Sequence, residues 1–205
     1  MVSPAAVPLV VLVVLIMAAY LAGSVPTGVL LARRRGIDLR KVGSGNIGAT
    51  NVGRALGKKW AAVVLLLDAL KGFVPVLAAR ALGLSATKIA AVALAAVVGH
   101  MFSLFLRGRG GKGVATSLGV CLALAPEAAL ASAGVYAALF ALFRISSLGS
   151  LAAVVLFPAL LWFIGPREPA FVGLALVIAA LVVARHKDNI RRLVRGEEAQ
   201  HKRLS

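Results

Sequence analysis

Acidic residues and cysteine are scarce in this chain, and each scarcity excludes a class of protein or site. Seven Asp and Glu stand against 23 Lys and Arg, which gives a net charge of +16 over 205 residues. Cys121 is the only cysteine, so neither an intramolecular disulfide nor a cysteine-based metal cluster can form. No basic residue precedes the first apolar stretch, and arginines follow it at 33–35. We therefore expect an uncleaved membrane span here and not a signal peptide.

Apolar residues are abundant instead. They make up 60% of the chain, and the mean hydropathy is +0.95, whereas soluble domains contain about 45–50% apolar residues. This composition predicts an integral membrane protein. The positive charge then favours anionic lipid or an anionic substrate as a partner, because no polar region is large enough to form a nucleic-acid-binding domain.

Five apolar stretches are long enough to cross a bilayer, which takes about 20 helical residues. They cover residues 7–32, 60–79, 88–106, 147–164 and 170–185. A further stretch, 114–143, is long for one span and short for two, and Pro126 interrupts it. One span here gives six transmembrane helices in total, and two spans give seven.

The distribution of Lys and Arg favours seven spans. With the N-terminus outside, both glycine-rich loops and the basic C-terminal tail fall inside, and only Arg80, Lys88 and Arg167 fall outside. Lys and Arg prefer cytoplasmic loops. The sequence therefore predicts an all-α, polytopic integral membrane protein with about seven transmembrane helices and cytoplasmic glycine-rich and basic loops. We expect a single domain over residues 1–205.

The pattern Gly-x-Gly-x-x-Gly occurs twice, at residues 43–48 and 108–113. In a dinucleotide-binding fold this pattern follows a β-strand, but both copies here follow apolar helices. A Walker motif is excluded as well, because Leu106 replaces its first glycine and neither Ser nor Thr follows Lys112.

The glycines nevertheless indicate a binding chemistry. They allow backbone N–H groups to approach an oxyanion, and the start of a following helix adds a positive partial charge. Each loop also has a cation, Lys112 in the second and Arg54 after the first. Flexible turns are the alternative for either loop alone, but two such loops on one face favour phosphate binding.

Polar residues outside these loops allow two interpretations each. His186 and Asn189 are three residues apart and would share a helix face at the membrane boundary, where they could act on reacting groups. The basic residues around them suit anionic lipid: Arg191, Arg195, Lys202 and Arg203. Asp68 and Lys71 are also three apart, and they are either functional or a self-neutralising structural pair.

Single polar residues near the spans are open in the same way. A histidine inside a span, such as His100, is more often buried with satisfied hydrogen bonds than functional. Ser147 and Ser150 lie at the inner end of a span, where a hydroxyl either contacts a ligand or caps the helix.

Three segments together resemble the motifs of the bacterial acyl-phosphate-dependent glycerol-3-phosphate acyltransferases: "GSGNIGATNVGR", "GGKGVAT" and "HKDNIRRLVRGEE". "GSVPTG" and "LLLDALKG" extend the resemblance through nearly the whole chain. The resemblance implies a seven-helix enzyme of the bacterial inner membrane with its active site on the cytoplasmic side. It would transfer a fatty acyl group from acyl phosphate to the 1-hydroxyl of glycerol 3-phosphate, giving lysophosphatidic acid and phosphate, the first step of phospholipid biosynthesis. No metal or cofactor is expected.

The resemblance also implies roles for individual residues. The residues expected to bind substrate phosphate are Ser44, Gly45, Asn46, Thr50, Asn51, Arg54, Gly110, Gly111, Lys112, Gly113 and Ser147. The residues expected to be catalytic are His186, Asn189 and Ser44. Structural support is expected from Asp68, Lys71, Gly196 and Glu198. The chain departs from the family at Ser103, where proline is common, and at Gln200, where lysine is common.

The chemistry of acyl transfer is compatible with these residues, although the proton acceptor and two alternative functions stay open. Acyl phosphate is a mixed anhydride that is already activated, so no covalent enzyme intermediate is needed. The proton acceptor is either His186 or a phosphate oxygen of the substrate. The His-x4-Asp pair of soluble-type glycerolipid acyltransferases is absent. An anion transporter and a lipid-binding scaffold are the alternative functions, but no internal repeat supports the first, and the second leaves the glycine loops unexplained.

Overall fold

The computed structural model describes residues 8–198, and every regular element in this range is helical. Lys202 and Arg203, predicted to suit anionic lipid, lie outside this range, as do Gln200 and the predicted external N-terminus. Ten α-helices follow one another within it: α1 Leu9–Ser24, α2 Thr27–Arg33, α3 Ala49–Leu56, α4 Lys58–Ala81, α5 Ala86–Met101, α6 Val114–Leu124, α7 Pro126–Phe143, α8 Ser146–Ile164, α9 Pro169–Arg185 and α10 Lys187–Val194.

Two prolines determine where apolar stretches break. The stretch 114–143 forms two helices, and Pro126 begins the second, where its missing N–H is tolerated. The predicted division of this stretch is therefore confirmed. The first predicted span is also divided, because α1 ends at Ser24 and α2 begins after Pro26. The apolar run over 7–32 had predicted one continuous span.

Length and apolarity qualify five helical segments in the described chain as membrane spans: Leu9–Arg33, Lys58–Ala81, Ala86–Leu106, Pro126–Phe143 and Ser146–Ile164. α9 and α10 add a sixth if the pair, bent by 64°, is counted as one span. α6 is apolar but short. Its 11 residues rise about 16 Å, against a hydrocarbon core of about 30 Å. The all-helical, multi-pass class is confirmed, and the count of seven stays a prediction.

The helices divide into two compact units, one ending at Ala123 and the other beginning at Leu124. The prediction of a single domain is untested by this division. The first unit contains α1–α5 and α6 as far as Ala123, with a closely packed crossing of α1 and α5. A Cβ atom on Gly23 would overlap the carbonyl oxygen of Ala96, and one on Gly99 would overlap that of Tyr20. Reciprocal glycines of this kind allow two helix backbones to approach closely in a membrane.

Buried hydroxyls fix the end of this crossing where α1 stops. The Ser24 hydroxyl donates to the Gly99 carbonyl (3.2 Å) and accepts the Leu104 N–H (3.3 Å). The Ser103 hydroxyl donates to the Ser24 carbonyl (2.5 Å). Ser103, where the family commonly has proline, therefore contributes a hydrogen bond between α1 and the segment after α5.

The second unit contains α7–α10. α7 packs along α8, where the Ser132 hydroxyl donates to the Ala153 carbonyl (2.9 Å), and α8 packs against α9. Large apolar side chains point outwards from both α7 and α8, for example Leu142 and Phe163. An apolar exterior of this extent is expected for helices that face lipid.

Candidate active site

The first glycine loop is held by one side chain, that of Asn51 in the first turn of α3. Asn51 is only 1% exposed. Its Oδ1 accepts the Ser44 N–H (3.0 Å), and its Nδ2 donates to the carbonyls of Leu39 (3.1 Å) and Val42 (3.0 Å). These contacts assign Asn51 a positioning role in the loop. Its predicted contact with phosphate stays a prediction.

The shape of this loop depends on glycine at two positions. Gly43 and Gly45 have φ values of 57° and 68°, in the left-handed region that favours glycine. A Cβ atom on Gly43 would overlap Asn51 Oδ1 and would lie 3.5 Å from Arg54 Cδ. The exposed Arg54 side chain therefore passes beside the loop. A guanidinium group can bind a phosphate with two hydrogen bonds, and the predicted contact of Arg54 with phosphate stays a prediction.

The other predicted residues of the first motif lie around the same turn. Ser44 is exposed, and its Oγ accepts the Asn46 N–H at 3.4 Å. Asn46 and Thr50 are partly buried. The Ser44 hydroxyl hydrogen can therefore be directed towards a ligand.

The second glycine motif packs directly against the end of α5. The Gly110 N–H donates to the Met101 carbonyl (3.1 Å), and the Gly111 N–H donates to the His100 carbonyl (3.0 Å). A Cβ atom on Gly110 would overlap the His100 carbonyl oxygen, and one on Gly111 would overlap His100 Nε2. These two amides therefore hold the loop to α5, and the predicted contact of Gly110 and Gly111 with a substrate phosphate stays a prediction.

The cationic part of this motif lies one residue further on. Gly113 has a φ of 82°, and a Cβ atom there would overlap Met101 Cε. α6 begins at the next residue, so the partly buried Lys112 lies at the positive end of a helix. A cation beside a helix start is a favourable environment for an oxyanion.

Asp68 and Lys71 form the ion pair that their spacing predicted, with 2.5 Å between Lys71 Nζ and Asp68 Oδ1. Lys71 Nζ also donates to the Val25 carbonyl (2.5 Å) and to Thr27 Oγ1 (3.2 Å), and the Thr27 hydroxyl donates to Asp68 Oδ1 (2.5 Å). These contacts favour the structural interpretation. Sequence reasoning missed Thr27, although "GSVPTG" was a visible signal.

His186 lies in the second unit at the bend between α9 and α10, so the helix is not continuous through it. The residue is 2% exposed, and its Nδ1 lies 2.8 Å from the Val182 carbonyl oxygen. A carbonyl only accepts, so Nδ1 carries the hydrogen. The lone pair of the neutral ring is then on Nε2, the atom that would accept a proton.

Glu198 collects three donors of the same unit. Its Oε1 accepts from the Ser147 hydroxyl (2.7 Å) and from Asn189 Nδ2 (2.5 Å), and its Oε2 accepts from Arg192 Nε (2.6 Å). Gly196, with a φ of 70°, turns the chain after α10. Glu198 thereby holds the side chains of Ser147 and Asn189 in place. The predicted contact of Ser147 with phosphate and the supporting role of Glu198 stay predictions.

The ionisation of Glu198 follows from these contacts. Burial raises the pKa of its carboxyl group. Hydrogen bonds from Ser147, Asn189 and Arg192 and the charge of Arg192 oppose this effect and outweigh it, so that the pKa lies below its usual 4.5. Because the folded-state pKa is the lower one, the carboxylate stabilises the fold above about pH 4.5, and this stabilisation is lost as the pH falls through the folded value.

Replacing Glu198 with Gln should therefore have a pH-dependent effect. At pH 7 Glu198→Gln should lower the melting temperature in detergent, because a neutral amide cannot pair with Arg192. The difference from wild type should shrink once the pH falls below about 4.5. Thermal melts from pH 3.5 to pH 7 measure this difference in melting temperature. The control is Glu197→Gln, which changes the exposed neighbouring residue and should behave as wild type. A constant difference across this range would contradict the assignment.

Relatives of known name match almost the full chain. The family model described as glycerol-3-phosphate acyltransferase matches residues 13–196. A glycerol-3-phosphate acyltransferase of Geobacter sulfurreducens is 49% identical over 184 residues, which cover 90% of this chain and 94% of that protein. One from Myxococcus xanthus is 54% identical over 189 residues, covering 90% and 96%.

Solved structures agree with these relatives. The crystal structure of PlsY (YgiH), an integral membrane glycerol 3-phosphate acyltransferase, in its glycerol 3-phosphate form has a TM-score of 0.89 and 42% identity, covering 94% of this chain and 96% of that one. The lysophosphatidic acid form has a TM-score of 0.87 and 41% identity, with the same coverage. The resemblance in the three motifs is thereby confirmed, and the chain belongs to the glycerol-3-phosphate acyltransferase family.

Proposed function

We propose that this chain transfers a fatty acyl group from acyl phosphate to the 1-hydroxyl of glycerol 3-phosphate, giving lysophosphatidic acid and inorganic phosphate. Family membership is the observation that carries the proposal, because PlsY, 42% identical, has a glycerol 3-phosphate form and a lysophosphatidic acid form. The sequence alone left an anion transporter and a lipid-binding scaffold as alternatives, and this family membership favours the transferase. Such a reaction belongs to phospholipid biosynthesis.

The reaction exchanges one bond for another. The hydroxyl oxygen of glycerol 3-phosphate forms a bond to the acyl carbon, and the bond from that carbon to the phosphate oxygen breaks, so that phosphate leaves. The hydroxyl proton passes to His186 Nε2 or to a phosphate oxygen of the substrate. A mixed anhydride is reactive enough for direct attack, so the chain needs no nucleophile of its own.

Binding two anionic substrates is therefore the main task of the protein side chains. Arg54 beside the first loop and Lys112 at the start of α6 provide positive charge, and Ser44 provides a hydroxyl donor. Asn189 Nδ2 donates to Glu198 Oε1, and this hydrogen bond orients the Asn189 amide group. In this proposal His186 and Asn189 act on the reacting groups.

We further propose that the enzyme lies in the bacterial inner membrane, with its glycine-rich loops on the cytoplasmic side. The support for this orientation is the distribution of Lys and Arg, which concentrates positive charge in the loops that carry the motifs. The soluble substrate, glycerol 3-phosphate, and the released phosphate would then both exchange with the cytoplasm.

The choice of acyl donor tests the proposed function. Purified protein with labelled glycerol 3-phosphate should form lysophosphatidic acid from acyl phosphate. Acyl-coenzyme A should give no turnover above background, because its acyl carbon is bonded to sulfur and has no directly attached phosphate for the cationic residues to bind. Thin-layer separation of the labelled lipid measures both reactions. Comparable turnover with acyl-coenzyme A would contradict the donor assignment, and no transfer from either donor would contradict the function.

A further inference from the structure

One buried residue of the first unit has no role in the reaction above, although it contacts both a charged pair and the second glycine motif. We propose that His100 is a positioning residue, which holds the loop of residues 110–113 in the geometry that binds a substrate phosphate and is itself oriented by Asp68. The inference rests on the proposed function, because the phosphate is that of an acyl-transfer substrate.

The ring of His100 lies between the ion pair and the loop. Its Nδ1 is 4.0 Å from Asp68 Oδ1, the outer limit for an ion pair with a protonated ring. On the other side of the ring, Nε2 occupies the position that a Cβ atom on Gly111 would need. The side chain therefore faces a fixed carboxylate at one nitrogen and the loop backbone at the other.

The main chain of the same residue holds the loop as well. The His100 carbonyl accepts the Gly111 N–H at 3.0 Å, and the neighbouring Met101 carbonyl accepts the Gly110 N–H at 3.1 Å. Two consecutive loop amides are thus tied to the end of α5. A shift of the His100 ring would move Gly111 and also Lys112, which is the next residue in the chain.

Asp68 is a firm anchor for this arrangement, because its position does not depend on His100. The carboxylate is 3% exposed, and it accepts hydrogen bonds from Lys71 and from the Thr27 hydroxyl. Lys71 in turn donates to the Val25 carbonyl at the break between α1 and α2. Through Asp68, the orientation of His100 therefore depends on contacts among α2, α4 and the residue that follows α1.

The far end of the loop is held by a different contact. α6 crosses α4 so closely that a Cβ atom on Gly72 would overlap the Thr116 carbonyl oxygen, and one on Gly119 would overlap that of Ala69. Gly72 is the neighbour of Lys71 in the sequence. Because α6 is fixed independently, loss of the His100 contacts should displace the loop without unfolding the helix behind it.

Three substitutions separate positioning from packing. His100→Gln can place an amide atom near the position of Nε2, His100→Asn reaches only the position of Nδ1, and His100→Phe keeps the ring without nitrogen. The matched control is Ser24→Ala, which removes a buried hydrogen bond to the adjacent carbonyl, that of Gly99. Ser24 contacts neither the loop of residues 110–113 nor the ion pair in any hydrogen bond described above.

The measurements use the full chain in detergent: kcat and KM for both substrates, and the Kd for inorganic phosphate by calorimetry. His100→Asn and His100→Phe should raise the Kd and the KM of at least one substrate by about two- to tenfold, with kcat nearly unchanged. His100→Gln should recover much of this loss. Ser24→Ala should lower the melting temperature and leave the Kd and both KM values at wild-type values.

Each result decides the inference. If His100→Asn does not fold, His100→Phe carries the same expectation. Wild-type Kd and KM values in whichever of the two variants folds would overturn the proposal. Equal changes in Kd and KM in these variants and in Ser24→Ala would also overturn it, because a histidine with only a structural role would behave like Ser24. Wild-type protein that binds no inorganic phosphate would overturn it as well. Failure of wild-type protein to transfer an acyl group contradicts the proposed function instead, and the phosphate Kd values still test His100.

Discussion

Replacing His186 with alanine should lower kcat by about 10²–10⁴-fold, the usual contribution of a positioned general base. The reason lies in the ring: Nδ1 is hydrogen-bonded to the Val182 carbonyl, which leaves the lone pair on Nε2. KM should change much less, because an interaction made in the transition state affects the rate more than binding. Steady-state kinetics with both substrates measure the two parameters.

The control for this variant lies two residues away. Asp188→Asn changes an exposed residue of the same helix turn and should leave kcat within about twofold of wild type. Melting curves of both variants exclude unfolding as the cause of a lower rate. If His186→Ala keeps wild-type turnover, a phosphate oxygen of the substrate is the proton acceptor, and the role assigned to His186 is wrong.

The second large effect concerns stability. Lys71→Met should destabilise the protein by about 3–5 kcal/mol, because it leaves the carboxylate of Asp68 buried without its counter-charge. The double variant Asp68→Asn/Lys71→Met should recover much of this loss, since it removes both charges together. Unfolding in mixed micelles measures the free energies, and a double-mutant cycle isolates the coupling between the two residues.

A lysine elsewhere on the same helix is the matched control. Lys59→Met in α4 changes an exposed side chain and should alter stability by less than about 0.5 kcal/mol. If Lys71→Met destabilises the protein no more than Lys59→Met, the buried pair contributes little, and Asp68 is not a firm anchor for His100.

Apolar runs were enough to predict most of the helices. Residues 60–79 and 170–185 were predicted as spans, and the helices extend over Lys58–Ala81 and Pro169–Arg185. Pro126 predicted a break because proline at a helix interior removes a hydrogen bond. The apolar run could not predict whether α6 is long enough to span the membrane, because the length of α6 depends on where the loop before it ends.

The candidate site was predictable as a set of residues but not as a set of contacts. The motifs pointed to Asn51 and Gly111, yet they gave no sign that Asn51 bonds three backbone groups or that the Gly111 amide is bound by His100. Such contacts depend on loop conformation and on elements far apart in the sequence. A pattern of residue types contains neither.

The three hydrogen bonds of Asn51 have a consequence for the thermodynamics of binding. They hold residues 39–44 in one conformation through contacts within the chain itself. Ordering a flexible backbone requires about 1–2 kcal/mol per residue in lost conformational entropy. In this loop the conformational entropy is lost when the enzyme folds and not when a ligand binds. A phosphate therefore binds to a preorganised loop, and the ordering of the loop does not reduce its affinity.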